Sequence, residues 1–289
     1  RDLHRLIRRQ RQMCIRDRGC VVRVVEVALL GIIQGILEWL PISSSGQLIY
    51  FMLKVFNVSV EEAYNLSLFL HVGTALAVIV RYRNTYVKVV KCAFSFNCWR
   101  ENKLLQFIAI VIASSALTAL PLYIILTKSL SAIPGDIVTF IIGVLLVLSG
   151  LLMITFRSRS RGKSLDDINV KDMVLIGLIT GFSIIPGISR SGISVAMLLY
   201  YGFSPVSALE LSFIVGGIMT FIGGLLNLGS LSLSVPLIVL AIVIPFILGY
   251  MVISVLLRIA RKLNFSYFAM FIGILMILSS LPYTSLLPG

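Results

Sequence analysis

This sequence is short of charge. Asp, Glu, Lys and Arg make up 13% of its 289 residues, 58% are hydrophobic and the mean hydropathy is +1.01. That leaves too little polar surface to coat a soluble globule. Acid is scarcer than base, with 12 Asp and Glu beside 25 Lys and Arg. The basic residues lie between and beside the apolar runs rather than on a separate polar domain. This excludes nucleic acid as a partner, and the charges read as topology signals and lipid-headgroup contacts. Four cysteines, Cys14, Cys20, Cys92 and Cys98, form no CxxC pair and stand near no His at metal-ligand spacing, so they receive no role. Alternating segments of about ten residues are missing as well, which excludes a membrane β-barrel.

What is present is a set of long apolar runs. They cover about Leu66 to Tyr82, Leu104 to Leu126, Ile137 to Phe156, Val206 to Leu228, Val235 to Leu257 and Phe265 to Leu281, close to the roughly 20 residues that cross a bilayer. Two further apolar stretches, about 21–56 and 173–201, are interrupted by PISSSGQ at 41–47 and PGISRSG at 186–192. Pro removes a backbone donor and Gly tolerates turns, so each reads as helix, break, helix. Irregular backbone at membrane depth survives only inside protein or against a wet cavity, so both breaks point into the bundle. The predicted fold is all-α: a polytopic membrane bundle of about six transmembrane helices plus two re-entrant helix-loop-helix hairpins.

Residues 1–20, RDLHRLIRRQRQMCIRDRGC, lack an apolar signal core and are set aside as a basic leader of suspected non-native origin. The remainder, 21–289, reads as one integral membrane domain. The loops 81–103 and 157–171 are rich in Lys and Arg and are assigned to the cytoplasm, while the sparsely charged loops near Lys128 and Ser230 are assigned outside. Every loop then agrees if both broken segments are re-entrant and enter from opposite sides. That predicts an inverted repeat with halves of about 21–156 and 172–289. A shift of 146 residues pairs Gly31 with Gly177, Gly35 with Gly181, Ser43 with Ser189 and Gly46 with Gly192. Substrate sites of such folds lie at the repeat interface.

Few residues could carry chemistry at that depth. Glu38 lies in an apolar helix four residues after Gln34, so both project from one face. An intramembrane carboxylate is a functional candidate; the alternative is a structural Glu paired with a bundle hydroxyl. Ser43, Ser44 and Ser45 crowd the break that follows, where hydroxyls and freed amides could hold an anion or present a nucleophile, or merely satisfy broken backbone. Arg190, between Ser189 and Ser191 and ahead of a short helix, joins a guanidinium fork to hydroxyls and helix N-terminal amides, which is a phosphate site. His71 in FLHVGT reads either as a core histidine or as an imidazole supplied from a neighbouring span. Glu210 is a second carboxylate within a span, and Glu61, Glu62, Asp166 and Asp167 read as solvated loop residues.

The segments GIIQGILEWLPISSSGQ and PGISRSGIS resemble the two signature regions of the undecaprenyl-diphosphate phosphatase family, the bacitracin-resistance proteins, and the resemblance runs from about Val24 to the C-terminus. It implies release of phosphate from a C55-type polyprenyl diphosphate carrier, dependence on Mg or Ca, a homodimer tendency, and a multi-pass plasma-membrane enzyme opening to the outer face. By motif position it makes Glu38 the acidic and metal-binding residue, Ser44 the nucleophile and Arg190 the phosphate clamp. Gln34, Ser43, Ser45, Gly46, Gln47, Ser189 and Ser191 fall among the substrate contacts, with His71 beside them. Gln34 stands where the bacterial pattern commonly has Glu, and Gln47 where it commonly has His. Gln hydrogen-bonds but cannot shuttle a proton near neutral pH, which points to a divergent, archaeal-type member. The competing expectation is an alternating-access transporter or flippase of an anionic polyprenyl lipid, with Arg190 only binding.

Overall fold

In the computed structural model, residues 24–40, 42–129, 132–157, 162–231, 233–259 and 265–281 are described. The basic leader, Pro41 of the first break, and Arg159, Arg161, Arg261 and Lys262 lie outside them. The described elements are helical: α1 (Val24–Leu37), α2 (Ser44–Lys54), α3 (Val60–Arg81), α4 (Arg83–Ala93), α5 (Phe96–Glu101), α6 (Lys103–Ser129), α7 (Gly135–Arg157), α8 (Val170–Gly181), α9 (Arg190–Tyr200), α10 (Pro205–Leu226), α11 (Val235–Ile259) and α12 (Phe265–Ser280). Five of them, α3, α6, α7, α10 and α11, are long and apolar enough to cross a membrane. The chain is therefore a multi-pass membrane protein. The sixth expected span coincides with α12, which at 16 residues is short of the roughly 20 a straight crossing uses.

Both interrupted stretches fold as helix, break, helix. Between α1 and α2 the chain turns at residues 38–40 and 42–43, and between α8 and α9 through 182–189. Ser43 and Gly187 carry positive φ, 55° and 100°, so each break contains one left-handed residue, the kind of corner that lets a chain leave a helix sharply.

Three details differ from the sequence expectation. Helix α3 starts at Val60 rather than near Leu66, because Ser59 caps it by accepting from the Glu62 amide at 3.3 Å. Glu61 and Glu62 are thus first-turn residues of a helix rather than loop residues, and the negative charge there suits the helix dipole. Second, the loop 81–103 is not irregular. Tyr82, Tyr86, Val89 and Cys92 recur at helical spacing and pack on the core, forming α4, and α5 follows. Third, Cys92 and Cys98, given no role from sequence, are joined as a disulfide with Cα atoms 5.2 Å apart, since the turn between α4 and α5 brings together two thiols six residues apart. In the 157–171 loop, Asp167 closes a capping box with Ser164. The Ser164 backbone N–H and hydroxyl hold its carboxyl below the usual range.

Helix α3 is the central post, packed against α10 on one side and α11 on the other, while α6 lies along α8 and α7 along α12. Gly217 of α10 meets Val78 and Gly224 meets Leu68 and Val72, so α3 and α10 run antiparallel. Gly177 and Gly181 meet Ser114 and Thr118 in order, so α8 and α6 run parallel. These directions put the ends of α3 carrying Arg81, α6 carrying Lys103 and α8 carrying Lys171 on one side of the bundle. The Glu61–Glu62 end of α3 is on the other.

Candidate active site

The two breaks interlock. The Gly187 amide donates to Ser43 Oγ at 3.2 Å, and Ser191 Oγ donates to the Leu40 carbonyl at 3.1 Å. A Cβ at Gly46 would press on Ile142 and the Gly187 nitrogen, so glycine here lets the tips approach backbone to backbone. Freed peptide groups of one break are in this way satisfied by the other, as burial demands.

Glu38, 5% exposed, sits where the breaks meet. Its Oε1 accepts from Arg190 Nη2 at 2.6 Å. Its Oε2 accepts from Ser44 Oγ at 2.7 Å and Gln34 Nε2 at 2.9 Å, and lies 3.0 Å from His71 Nε2. The carboxylate thus gathers Gln34, Ser44 and His71 from the first half and an arginine from the second. Such a pair is costly to desolvate and holds only because hydrogen bonds fill the remaining lone pairs.

Each partner is itself positioned. Arg190 is the first residue of α9, which Ser189 caps by accepting from the Gly192 amide at 3.1 Å. Its Nη1 donates to the Ser212 carbonyl at 3.1 Å, and the guanidinium carbon lies 5.5 Å from the centre of the Trp39 ring. The guanidinium rests directly against Gly216 of α10, where any Cβ would overlap it. His71 Nδ1 lies 2.6 Å from the Ser67 carbonyl, an acceptor, so Nδ1 carries a proton and Nε2 is the nitrogen left to face Glu38.

A cavity of about 220 Å³ opens from this cluster. Glu38, Ser43, Ser44, Ser45, His71, Ser189, Arg190 and Ser191 line its floor, and Leu68, Ile112, Ala116, Ala119, Leu120, Met219, Ile222 and Leu226 its walls. A polar floor under apolar walls fits an amphiphile whose anionic head lies at the carboxylate and guanidinium.

The structure brings together Glu38, Gln34, Ser44, His71 and Arg190 by direct contact, and adds Ser43, Ser45, Ser189 and Ser191 along the floor. Gly46 is in the interlock rather than on the cavity. Gln47 is buried and donates to the Ile42 carbonyl at 2.9 Å, closing the break from behind and outside the cavity lining. Glu210 lies half-buried on α10 beside Tyr82, also outside it. Sequence reasoning missed Trp39, Ser212 and Gly216. The signal available was the Gly216–Gly217 pair inside an apolar helix, which marks a close approach without saying of what.

Glu38 is the only carboxylate on the cavity among the described residues, and its two oxygens already accept from Arg190, Ser44 and Gln34, with His71 Nε2 3.0 Å away. No group of three or more His, Cys, Asp or Glu converges among the described residues. Mg and Ca take hard oxygen ligands in number, so this donor set does not fit a divalent ion held by the protein itself.

The bacitracin resistance protein BacA family matches residues 27–278. An undecaprenyl-diphosphatase of Methanopyrus kandleri is 38% identical over 250 residues, 85% of this chain and 91% of that protein. Undecaprenyl-diphosphatases of Methanothrix thermoacetophila and Methanococcoides burtonii are 36% and 35% identical, covering 89% and 88% of this chain and 98% and 97% of theirs. The match spans both breaks and the span that carries His71, and this chain belongs to the bacitracin resistance protein BacA family.

Proposed function

We propose that this chain is a membrane phosphatase that converts undecaprenyl diphosphate to the monophosphate and phosphate, with Ser44 as nucleophile. The carrying observation is the Ser44 hydroxyl donating to a buried carboxylate that also pairs with Arg190, on the floor of an apolar cavity. A hydroxyl becomes a useful nucleophile when a base is already in hydrogen-bond reach of its proton.

In the first step Ser44 Oγ attacks the terminal phosphorus and its proton passes to Glu38 Oε2. The bond from that phosphorus to the bridging oxygen breaks, and the polyprenyl monophosphate leaves with the electron pair. Neutralising Glu38 loosens its hold on Arg190, whose freed Nη2 meets the developing charge on the phosphoryl oxygens. In the second step a water attacks the phosphoserine phosphorus and gives its proton to the imidazole of His71, the bond from phosphorus to Ser44 Oγ breaks, Oγ takes back the proton held on Glu38, and phosphate departs. Gln34 and Trp39 position Glu38 and Arg190. No step is routed through a metal. A divalent cation enters, on this reading, as the counter-ion of the diphosphate.

We further read the two broken segments as re-entrant hairpins of an inverted repeat, in a plasma-membrane protein whose cavity opens to the outer face. Three observations support this. The breaks meet at the centre of the bundle. Arg81, Arg83, Lys88, Lys91, Arg100 and Lys103 gather at one end, as cytoplasmic ends do. Tyr123 and Leu226, toward the opposite ends of α6 and α10, line the cavity mouth. Membership of a family whose similar relatives are diphosphatases does not favour the transporter alternative.

The test is phosphate release from a C55 polyprenyl diphosphate by purified protein in detergent, where no second compartment exists for a carrier to use. Wild type should release phosphate, and Ser44→Ala should lose at least about a thousand-fold in kcat, as removal of activated nucleophiles does. Full activity in Ser44→Ala would remove the nucleophile assignment.

A further inference from the structure

A cavity of about 220 Å³ is smaller than the roughly 300–1,000 Å³ that encloses a drug-sized ligand. It takes a diphosphate and the first part of a hydrocarbon chain, and the rest of a long polyprenyl tail must leave through a wall. The wall between α6 and α10 is the thin one. These helices pack mainly on α8 and α3 and face each other across the cavity. On this side α6 carries Ala116 and Ala119, and α10 carries Gly223, where an added Cβ would meet open space, small residues that leave a slot. Leu226, at the cavity mouth on α10, is 56% exposed, and Leu117 of α6, off the cavity lining, is 70% exposed, apolar surface of the kind that meets lipid in a membrane protein.

One polar contact bridges this slot at its mouth. Tyr123 Oη on α6 donates to Asn227 Oδ1 at the C-cap of α10, at 3.1 Å. Asn227 is fully buried, and its Nδ2 donates to the Gly223 carbonyl at 2.8 Å, so its amide is fixed in orientation. The tyrosine side is looser. Pro121 lies inside α6 two residues earlier and has no amide to give the Leu117 carbonyl, so the helix is weakened at that turn. The end of α6 beyond Pro121 can therefore tilt away from α10, with the Tyr123 phenol as its tether.

We propose that Tyr123 and Asn227 form the crosspiece of a lateral mouth between α6 and α10, which a long polyprenyl tail must displace and a short one need not. The proposal rests on the phosphatase reading and adds to it a determinant of chain-length preference that lies away from the reacting atoms. Neither residue touches the Glu38 cluster, so their effect should fall on KM for long substrates and leave kcat alone.

The experiment compares C55 and C15 prenyl diphosphates with wild type, Tyr123→Phe, Asn227→Ala and the double variant, all purified as the full chain. Tyr123→Phe keeps the ring and removes the tether. It should raise the C55-to-C15 ratio of kcat/KM about five-fold, the equivalent of one ordinary neutral hydrogen bond, through a lower KM for C55. The double variant should exceed neither single by more than about two-fold, because both remove the same bond. If Asn227→Ala disturbs the helix end and fails to fold, Tyr123→Phe alone decides. A ratio that does not move, or equal changes on both substrates, overturns the crosspiece while an active wild type upholds the phosphatase. Release from neither substrate by wild type overturns both.

Discussion

The two breaks share an outline and carry different chemistry. Each follows a helix that ends in a glycine-containing turn, holds one residue at positive φ and leads into an 11-residue helix. The first break supplies a carboxylate and a hydroxyl that donates to it, Glu38 and Ser44; the second supplies a guanidinium, Arg190. The shared shape places a helix start and a run of serines at the bundle centre from either half. The difference is in what occupies equivalent places: Ser44 and Arg190 are each the first residue of the helix after the break, a hydroxyl in one and a guanidinium in the other. A half alone would have a buried acid without a counter-charge or a buried cation without one, and the site exists only where the halves interlock.

That comparison can be broken most severely by removing one charge. Arg190→Ala or Glu38→Gln leaves its partner uncompensated inside the bundle, and either should cost about 3–5 kcal/mol of stability. Replacing both should recover a large part of that loss. Thermal unfolding in detergent measures it, and full additivity of the two single losses would contradict the pairing. A second change leaves both charges in place and moves only one. Gly216→Ala puts a methyl where the guanidinium rests, so phosphate release should fall about a hundred-fold, on the scale of losing one aligned transition-state donor, with Glu38 and Ser44 intact. Wild-type turnover in that variant would mean Arg190 has room the structure does not show. The smallest effect sharpens the contrast at the helix starts. Ser189 caps α9 whereas Ser43 makes no side-chain cap on α2, so Ser189→Ala should lower stability by about 1 kcal/mol. Ser43→Ala should instead lose only its contact with Gly187. Unfolding measurements on the pair decide it.

Much of this was legible in the sequence because it depends on contrast with an apolar background. Pro, Gly and Ser clusters inside apolar stretches located both breaks, and Glu38 and Arg190 stood out as lone charges. The spacing of Gln34 and Glu38 anticipated their hydrogen bond. Features that depend on what comes next to what in space were not legible. His71, taken alone, read more readily as a core histidine than a functional one until α3 brought it to 3.0 Å from Glu38. Gly216, Trp39 and the Tyr123–Asn227 contact involve residues that are ordinary in membrane helices. Hydropathy also hid the polar first turn of α3 and the half-polar α4, where the cap at Ser59 and the stripe from Tyr82 to Cys92 were the better guides.

The account stands on Glu38 and Arg190 acting as one unit drawn from two halves of the chain. The measurement that tests this most directly is a kinetic double-mutant cycle of phosphate release from a C55 diphosphate with Glu38→Gln, Arg190→Ala and both together. If they act as a unit, the double variant loses little more than the worse single. Losses that multiply would show two groups working independently, and would contradict the interlocked site.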